Sequence, residues 1–219
     1  MSDLLDAIVM ETAPSPTAAV IWMHGLGADG HDFEPIVPEL GLPKAPAVRF
    51  VFPHAPVRPV TINGGMRMRA WYDVTGDGRQ DAAGIQASRT RIESFIGRER
   101  ARGIPSRGIV LAGFSQGGAI ALQTALRHGE RLAGVLALST YLPLPDTVER
   151  EASPVNRDLP IFMAHGRQDP VIPLSLATRS RDALASLDYR VEWHDYAMPH
   201  SVCAEEIADI ARWLRAVLP

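Results

Sequence analysis

The stretch IVLAGFSQGGAIALQTALR, residues 109–127, decides the architecture. Ile109–Phe114 is an apolar run of strand length, and the residues from Gly117 to Arg127 carry a helical pattern. Between them lies Gly113-Phe114-Ser115-Gln116-Gly117, a G-x-S-x-G at a strand-to-helix junction. The glycines have a steric reason. A strand that reverses sharply into a helix forces its central residue into a strained backbone conformation. It also brings the positions two before and two after into contact, so both must be small. Gly118 adds room for helix and strand to pack closely. Such a turn lifts the Ser115 hydroxyl clear of the sheet at a helix N-terminus, where the helix dipole favours developing negative charge.

Outward from this junction, short apolar runs alternate with longer helical patterns. That rhythm predicts an α/β fold, a mostly parallel central sheet with helices on both faces. The strand candidates are Ala18–Met23, Val48–Phe52, Ile109–Phe114, Val135–Leu138 and Ile161–Ala164. Arg190–Trp193 is expected nearer an edge, and Leu4–Met10 is a weaker antiparallel candidate. Ile85, Ile92, Phe95 and Ile96 mark one face of a helix that should end near Gly103, before Pro105. Ser175 is the expected cap of a helix carrying Leu176, Leu184 and Leu187. Ile207, Ile210, Ala211, Leu214 and Leu218 mark the last helix. Pro56 to Gly78 shows no period and is expected to be an irregular loop across the mouth of a site. With no repeat, low-complexity tract or linker, residues 1–219 are expected to form a single domain.

Composition excludes several classes. The chain is 46% apolar and 21% charged, with a formal charge of −3, too small to imply a polyanionic partner. The arginines are scattered; their densest run, Arg98, Arg100 and Arg102, reads as a solvated helix face rather than a nucleic-acid stripe. Cys203 is the only cysteine, so no intrachain disulfide can form, which suits a reducing, cytoplasmic location. The acidic start lacks the features of a signal peptide, and no run approaches a membrane span. Cys203 itself reads as a small buried hydrophobe in the first turn of a helix rather than as a nucleophile.

A serine hydroxyl is a weak nucleophile and needs a base held by a third group. After a strand–serine–helix turn, the acid and then the histidine follow along the chain. Asp169 is the expected acid. It lies just past Ile161–Ala164, at the carboxyl end of a strand, and Pro170 fixes its turn. Asp158 sits at the opposite end of that strand, and Asp146 lies in a Pro-rich loop. His200 is the expected base, on a loop after Arg190–Trp193 at the same sheet edge. His194, its rival, belongs to the strand itself. His165 and His54 read as supporting residues, and His128 and His31 as exposed ones. An oxyanion needs two N–H donors. The backbone N–H of Gln116 is one; that of Leu26, in the glycine-rich loop after Ala18–Met23, is the other. The spacing of Gly25, Gly27 and Gly30 superficially suggests a dinucleotide loop, but the serine junction occupies the next diagnostic strand.

Taken together, the sequence resembles the carboxylesterase and acyl-protein thioesterase (phospholipase/carboxylesterase) family of α/β-hydrolases. The match runs over nearly the whole chain. It includes His24-Gly25-Leu26-Gly27, Pro53-His54-Ala55-Pro56, Trp71-Tyr72-Asp73, Gly113 to Gly118, Leu138-Ser139, His165-Gly166 with Asp169-Pro170-Val171, and His200-Ser201-Val202-Cys203. The resemblance implies an α/β-hydrolase fold without a separate cap domain, a Ser115–His200–Asp169 triad with Leu26 and Gln116 at the oxyanion hole, and homodimers in some members. The expected reaction is hydrolysis of carboxylic esters or thioesters through an acyl-enzyme, on a small-molecule or lipid-like substrate or an acylated protein, with no metal or cofactor. Leu26, Trp71, Leu142 and Val171 are expected along the acyl groove. Lysophospholipase or peptidase activity on the same triad, and a non-catalytic binding protein of the same fold, remain open alternatives.

Overall fold

A computed structural model describes residues 4–219. The strands are β1 (Ala7–Glu11), β2 (Ala18–Met23), β3 (Val48–Pro53), β4 (Val57–Val60), β5 (Met66–Arg69), β6 (Ile109–Phe114), β7 (Gly134–Leu138), β8 (Ile161–Gly166) and β9 (Val191–Tyr196). The helices are α1 (Ile36–Glu39), α2 (Ala82–Ala101), α3 (Gln116–Ala125), α4 (Pro145–Glu151), α5 (Leu174–Ser186) and α6 (Ala204–Val217). Seven strands form one sheet in the order β1-β3-β2-β6-β7-β8-β9, while β4 and β5 form a separate antiparallel hairpin. Among the described residues, only β1 runs antiparallel within the large sheet, where it pairs with β3.

Both faces of the sheet are covered, which explains the unbroken apolar strands. Ala19, Ile21 and Met23 of β2 pack with Ile85, Ile92 and Phe95 of α2 and with much of α3. The alternate residues Ala18, Val20 and Trp22 pack with Ile36 of α1 and with Ile210, Trp213 and Leu214 of α6. Each fully buried valine, leucine, isoleucine, phenylalanine or methionine among them contributes about 1.5–3 kcal/mol. Helix α2 starts on Asp81, whose side chain accepts the Gly84 N–H, and stops before Gly103, which adopts φ +98°.

Several local expectations change. Pro173, not Ser175, precedes α5, so Ser175 lies inside the first turn. Residues 56–78 are not wholly irregular, since they contain the β4–β5 hairpin. Gly64 and Gly65 both take positive φ in its connection. Strand β9 continues through His194 to Tyr196 and lies at the sheet edge. The Arg98–Arg102 run is less solvated than its pattern suggested. Arg98 and Arg102 flank the fully buried Glu99, which also pairs with Arg49, and Arg100 pairs with Glu130.

Candidate active site

Ser115 sits between β6 and α3 with φ 55° and ψ −120°, a conformation that L-residues rarely adopt. Its neighbours fix it there. The Ser115 N–H donates to Leu138 O of β7 at 2.9 Å, and the Thr140 hydroxyl donates to Ser115 O at 2.7 Å. The steric argument for the glycines is met in detail. A Cβ on Gly113 would lie 2.2 Å from the carbonyl carbon of Gly117. One on Gly117 would lie 2.2 Å from Met23 O, and one on Gly118 would lie 2.8 Å from the Thr140 methyl. Gly117 therefore lets the end of β2 lie directly against the elbow.

That contact carries the 24–30 loop to the serine. A Cβ on Gly25 would stand 3.5 Å from Ser115 Cβ. His24 anchors the loop. Its Nε2 accepts the Ala55 N–H at 3.0 Å, which leaves Nδ1 to donate to Gly25 O at 2.7 Å. Burial, the largest influence, pushes the His24 pKa down to about 4, so the ring is neutral in this tautomer. The Gly30 N–H donates to His54 Nδ1, and a Cβ at Gly30 would meet Phe52 O at 2.4 Å. Leu26, half-buried, does not spend its N–H on a turn or loop hydrogen bond. Gln116 opens α3, where first-turn N–H groups have no helical acceptor.

The sheet brings Asp169 and His200 together. His200 Nδ1 donates to Asp169 Oδ2 at 2.6 Å, and Asp169 Oδ1 accepts the N–H groups of Val171 (2.8 Å) and Ile172 (2.9 Å). The Asp169 side chain is inaccessible to solvent. Burial alone would raise its pKa. The His200 bond and the two backbone donors outweigh burial, so the pKa is lowered and the group stays ionised. Gly166 makes the meeting geometrically feasible, because a Cβ there would lie 2.3 Å from Pro199 O and 2.4 Å from Met198 O. The His200 loop thus packs on the end of β8. The His200 ring also lies 4.7 Å from the Phe114 ring, centroid to centroid, beside the serine.

The other candidates fall elsewhere. Asp158 pairs with Arg131 on the surface. Asp146 lies in the first turn of α4. His194 stacks on Phe162 and faces Glu192 and Asp209. His165 is fully buried; its Nε2 donates to Ile172 O at 2.8 Å and lies 3.4 Å from Asp169 Oδ2, bracing the Asp169 turn. His31 is exposed, but His128 is buried against Glu93 at 2.6 Å rather than exposed. Cys203 caps α6 instead of lying in its first turn, and is half-buried. Among the described residues, no group of three His, Cys, Asp or Glu side chains is arranged to hold a metal ion.

Of the expected acyl-groove residues, Val171 is 63% exposed, whereas Trp71 and Leu142 are core side chains. Trp71 ties three parts of the site together. Its N–H donates to Gln116 Oε1 at 3.0 Å, its indole N–H to His24 O at 2.9 Å, and its carbonyl accepts the Ser88 hydroxyl of α2. Gln116 Nε2 donates to Tyr72 O at 2.9 Å, so its side chain clamps the 71–72 segment over the elbow. The sequence reading assigned Gln116 only a backbone role and missed this clamp. The hairpin adds one more tie, from the Gly27 N–H to Arg69 O at 2.9 Å.

A serine elbow at the centre of a mostly parallel sheet, with a carboxylate-held imidazole delivered from the next strands, defines an α/β-hydrolase. The chain belongs to the Phospholipase/Carboxylesterase family, whose model matches residues 5–218. It is 40% identical over 222 aligned residues to acyl-protein thioesterase 1 of Mycosarcoma maydis, covering 93% of this chain and 92% of that protein. It is 41% identical over 215 residues to acyl-protein thioesterase 1 of Neurospora crassa, covering 93% and 88% respectively. The crystal structure of Zea mays acyl-protein thioesterase 2 superposes with a TM-score of 0.87 at 29% identity, covering 98% of this chain and 100% of that one. Among the described residues, no helix is long and apolar enough to cross a membrane.

Proposed function

We propose that the protein is a serine hydrolase that removes acyl groups from thioesters and esters, acylated proteins among them, acting as one domain. Ser115 is the nucleophile, His200 the base and Asp169 the group that holds the imidazole. His200 Nε2 takes the hydroxyl proton as Ser115 Oγ attacks the acyl carbon. The Leu26 and Gln116 N–H groups bind the resulting oxyanion. The thiol or alcohol leaves with the proton from His200, and water then releases the acyl group by the same route. The observation that carries this reading is the 2.6 Å bond from His200 Nδ1 to a buried, ionised Asp169 at the sheet edge where Ser115 is held in its strained elbow. Nδ1 is thereby committed as a donor, which leaves Nε2 free to accept a proton. The similarity to acyl-protein thioesterases over most of the chain supports the substrate class. The lone Cys203 supports a reducing, cytoplasmic location.

Fluorophosphonate labelling with peptide mapping tests the nucleophile. Ser115 is expected to carry the adduct. Ser115→Ala is expected to lose about a million-fold in turnover with an unchanged far-UV circular dichroism spectrum. Labelling elsewhere, or retained turnover, overturns the assignment.

A further inference from the structure

A cavity of about 380 Å³ opens beside the site, and Phe114, next to Ser115, and His200 form part of its wall. Phe33 and Ile36 line it from the α1 side, and Val202 and Ile207 from the start of α6. Two exposed acids, Asp32 and Glu39, also line it, and their carboxylates have neither ion-pair nor hydrogen-bond partner among the described residues. The surrounding segment is acidic in its own side chains. From Gly25 to Pro43 it carries Asp29, Asp32, Glu34 and Glu39 but no lysine or arginine, and the cation packed on it, Arg215 of α6, donates to the Leu40 and Gly41 carbonyls.

Proton transfer decides which part of a substrate belongs here. In the acylation step the bond from Ser115 Oγ to the acyl carbon forms as the carbon–sulfur or carbon–oxygen bond breaks. The proton taken from Ser115 passes through His200 to the departing sulfur or oxygen. That atom must therefore lie against the imidazole, while the acyl oxygen is held by the Leu26 and Gln116 N–H groups. We propose that the cavity is the leaving-group subsite, and that it favours a thiol or alcohol carrying apolar atoms and a cationic group such as an ammonium or guanidinium. This rests on the reading of His200 as the proton carrier. A cation about 6 Å from one carboxylate in a water-like dielectric gains about threefold, so two give about tenfold at low ionic strength, and less as salt screens them.

Three thioesters with one acyl chain test this: leaving thiols ending in trimethylammonium, in the neutral tert-butyl isostere, and in sulfonate. All three form the same acyl-enzyme, so selectivity must appear in kcat/KM, which reports acylation. The expected cationic-to-neutral ratio of kcat/KM is about ten at low salt, with the sulfonate slowest. In Asp32→Asn/Glu39→Gln that ratio should fall at least threefold, which cancels the intrinsic reactivity of the three thiols. For the wild-type protein, 0.5 M salt should lower it likewise. Ile36→Trp, which fills the cavity, should slow the trimethylammonium thioester more than a methyl thioester. A ratio unmoved by both the double variant and salt, or equal losses in Ile36→Trp, overturns the subsite. If Ser115 labels and the thioesters turn over without charge discrimination, the subsite alone fails. If Ser115 does not label, the catalytic reading fails.

Discussion

Asp169→Asn isolates the role of the acid, because the structure dictates how the new amide must sit. Asp169 Oδ1 accepts two backbone N–H groups, from Val171 and Ile172. An asparagine there must keep its carbonyl oxygen at that position, since its NH2 would face two donors. The NH2 is then turned toward His200 Nδ1, which must become an acceptor. The imidazole proton moves to Nε2, the nitrogen that in the proposed mechanism receives the Ser115 proton. The same tautomer trap in a serine protease lowers kcat about 10,000-fold, equivalent to about 5 kcal/mol of barrier. Folding should suffer little, because both backbone bonds to Oδ1 survive and the side chain keeps its volume; a loss of at most about 1 kcal/mol corresponds to about 2–4 °C in Tm. Kinetics on a chromogenic short-chain ester, paired with thermal unfolding, measure both quantities. Turnover above a tenth of wild type in a folded, Ser115-dependent enzyme would refute the argument that Asp169 sets the tautomer.

Two further outcomes follow from burial and steric contact. The Glu206 carboxyl is fully buried, and burial, the largest cause, pushes its pKa up to about 8 from 4.5, against the opposing pull of the Cys203 backbone N–H. Its folded pKa lies above its unfolded value, so its stabilising share is complete below pH 4.5 and is lost as pH rises through about 8, by about 5 kcal/mol at most. Glu206→Gln should therefore flatten the fall in Tm between pH 5 and pH 9, and an equally steep fall in the variant would exclude Glu206 as its source. Gly117→Ala places a Cβ 2.2 Å from Met23 O, a backbone atom that cannot swing away. It should destabilise by about 3 kcal/mol or more, whereas Gly129→Ala, with nothing within 4 Å, should stay within about 0.5 kcal/mol in the same urea titration.

The parts legible in the sequence are those that physics makes local or unmistakable. Strands buried on both faces must be apolar throughout, so β2, β6, β7 and β8 announce themselves. Gly113 and Gly117 are demanded by a turn only a few residues long. The β4–β5 hairpin was missed because its strands are four residues each and carry Pro59 and three arginines. A signal was nevertheless present: Met66-Arg67-Met68-Arg69 alternates with period two, and Gly64-Gly65 precedes it as turn chemistry. Trp71 was read as a substrate wall because a large aromatic near a site invites that reading. Its four hydrogen-bond partners, Arg58, Ser88, Gln116 and His24, lie 13 to 47 residues away, and no local pattern encodes them. The burial of His128 likewise depends on Glu93, 35 residues distant.

These long-range ties explain how a strained serine can persist. A backbone like that of Ser115 costs about 1–3 kcal/mol and survives only where its surroundings over-determine it. Here the restraint comes from several sides. Leu138 O and the Thr140 hydroxyl hold the serine's own peptide groups. The end of β2 presses on Gly117, and the Gln116 side chain is locked to Trp71 and Tyr72. Relaxation would require breaking contacts to β2, β7 and the 71–72 segment together. The imidazole is restrained independently, through Gly166 and the turn after β8. Serine and imidazole thus reach the same edge on separate supports, and Phe114 and His200 both line the adjoining cavity. Because α1 and the start of α6 line that cavity, substrate choice in the proposed hydrolase can change there without disturbing the ties that hold Ser115 and His200.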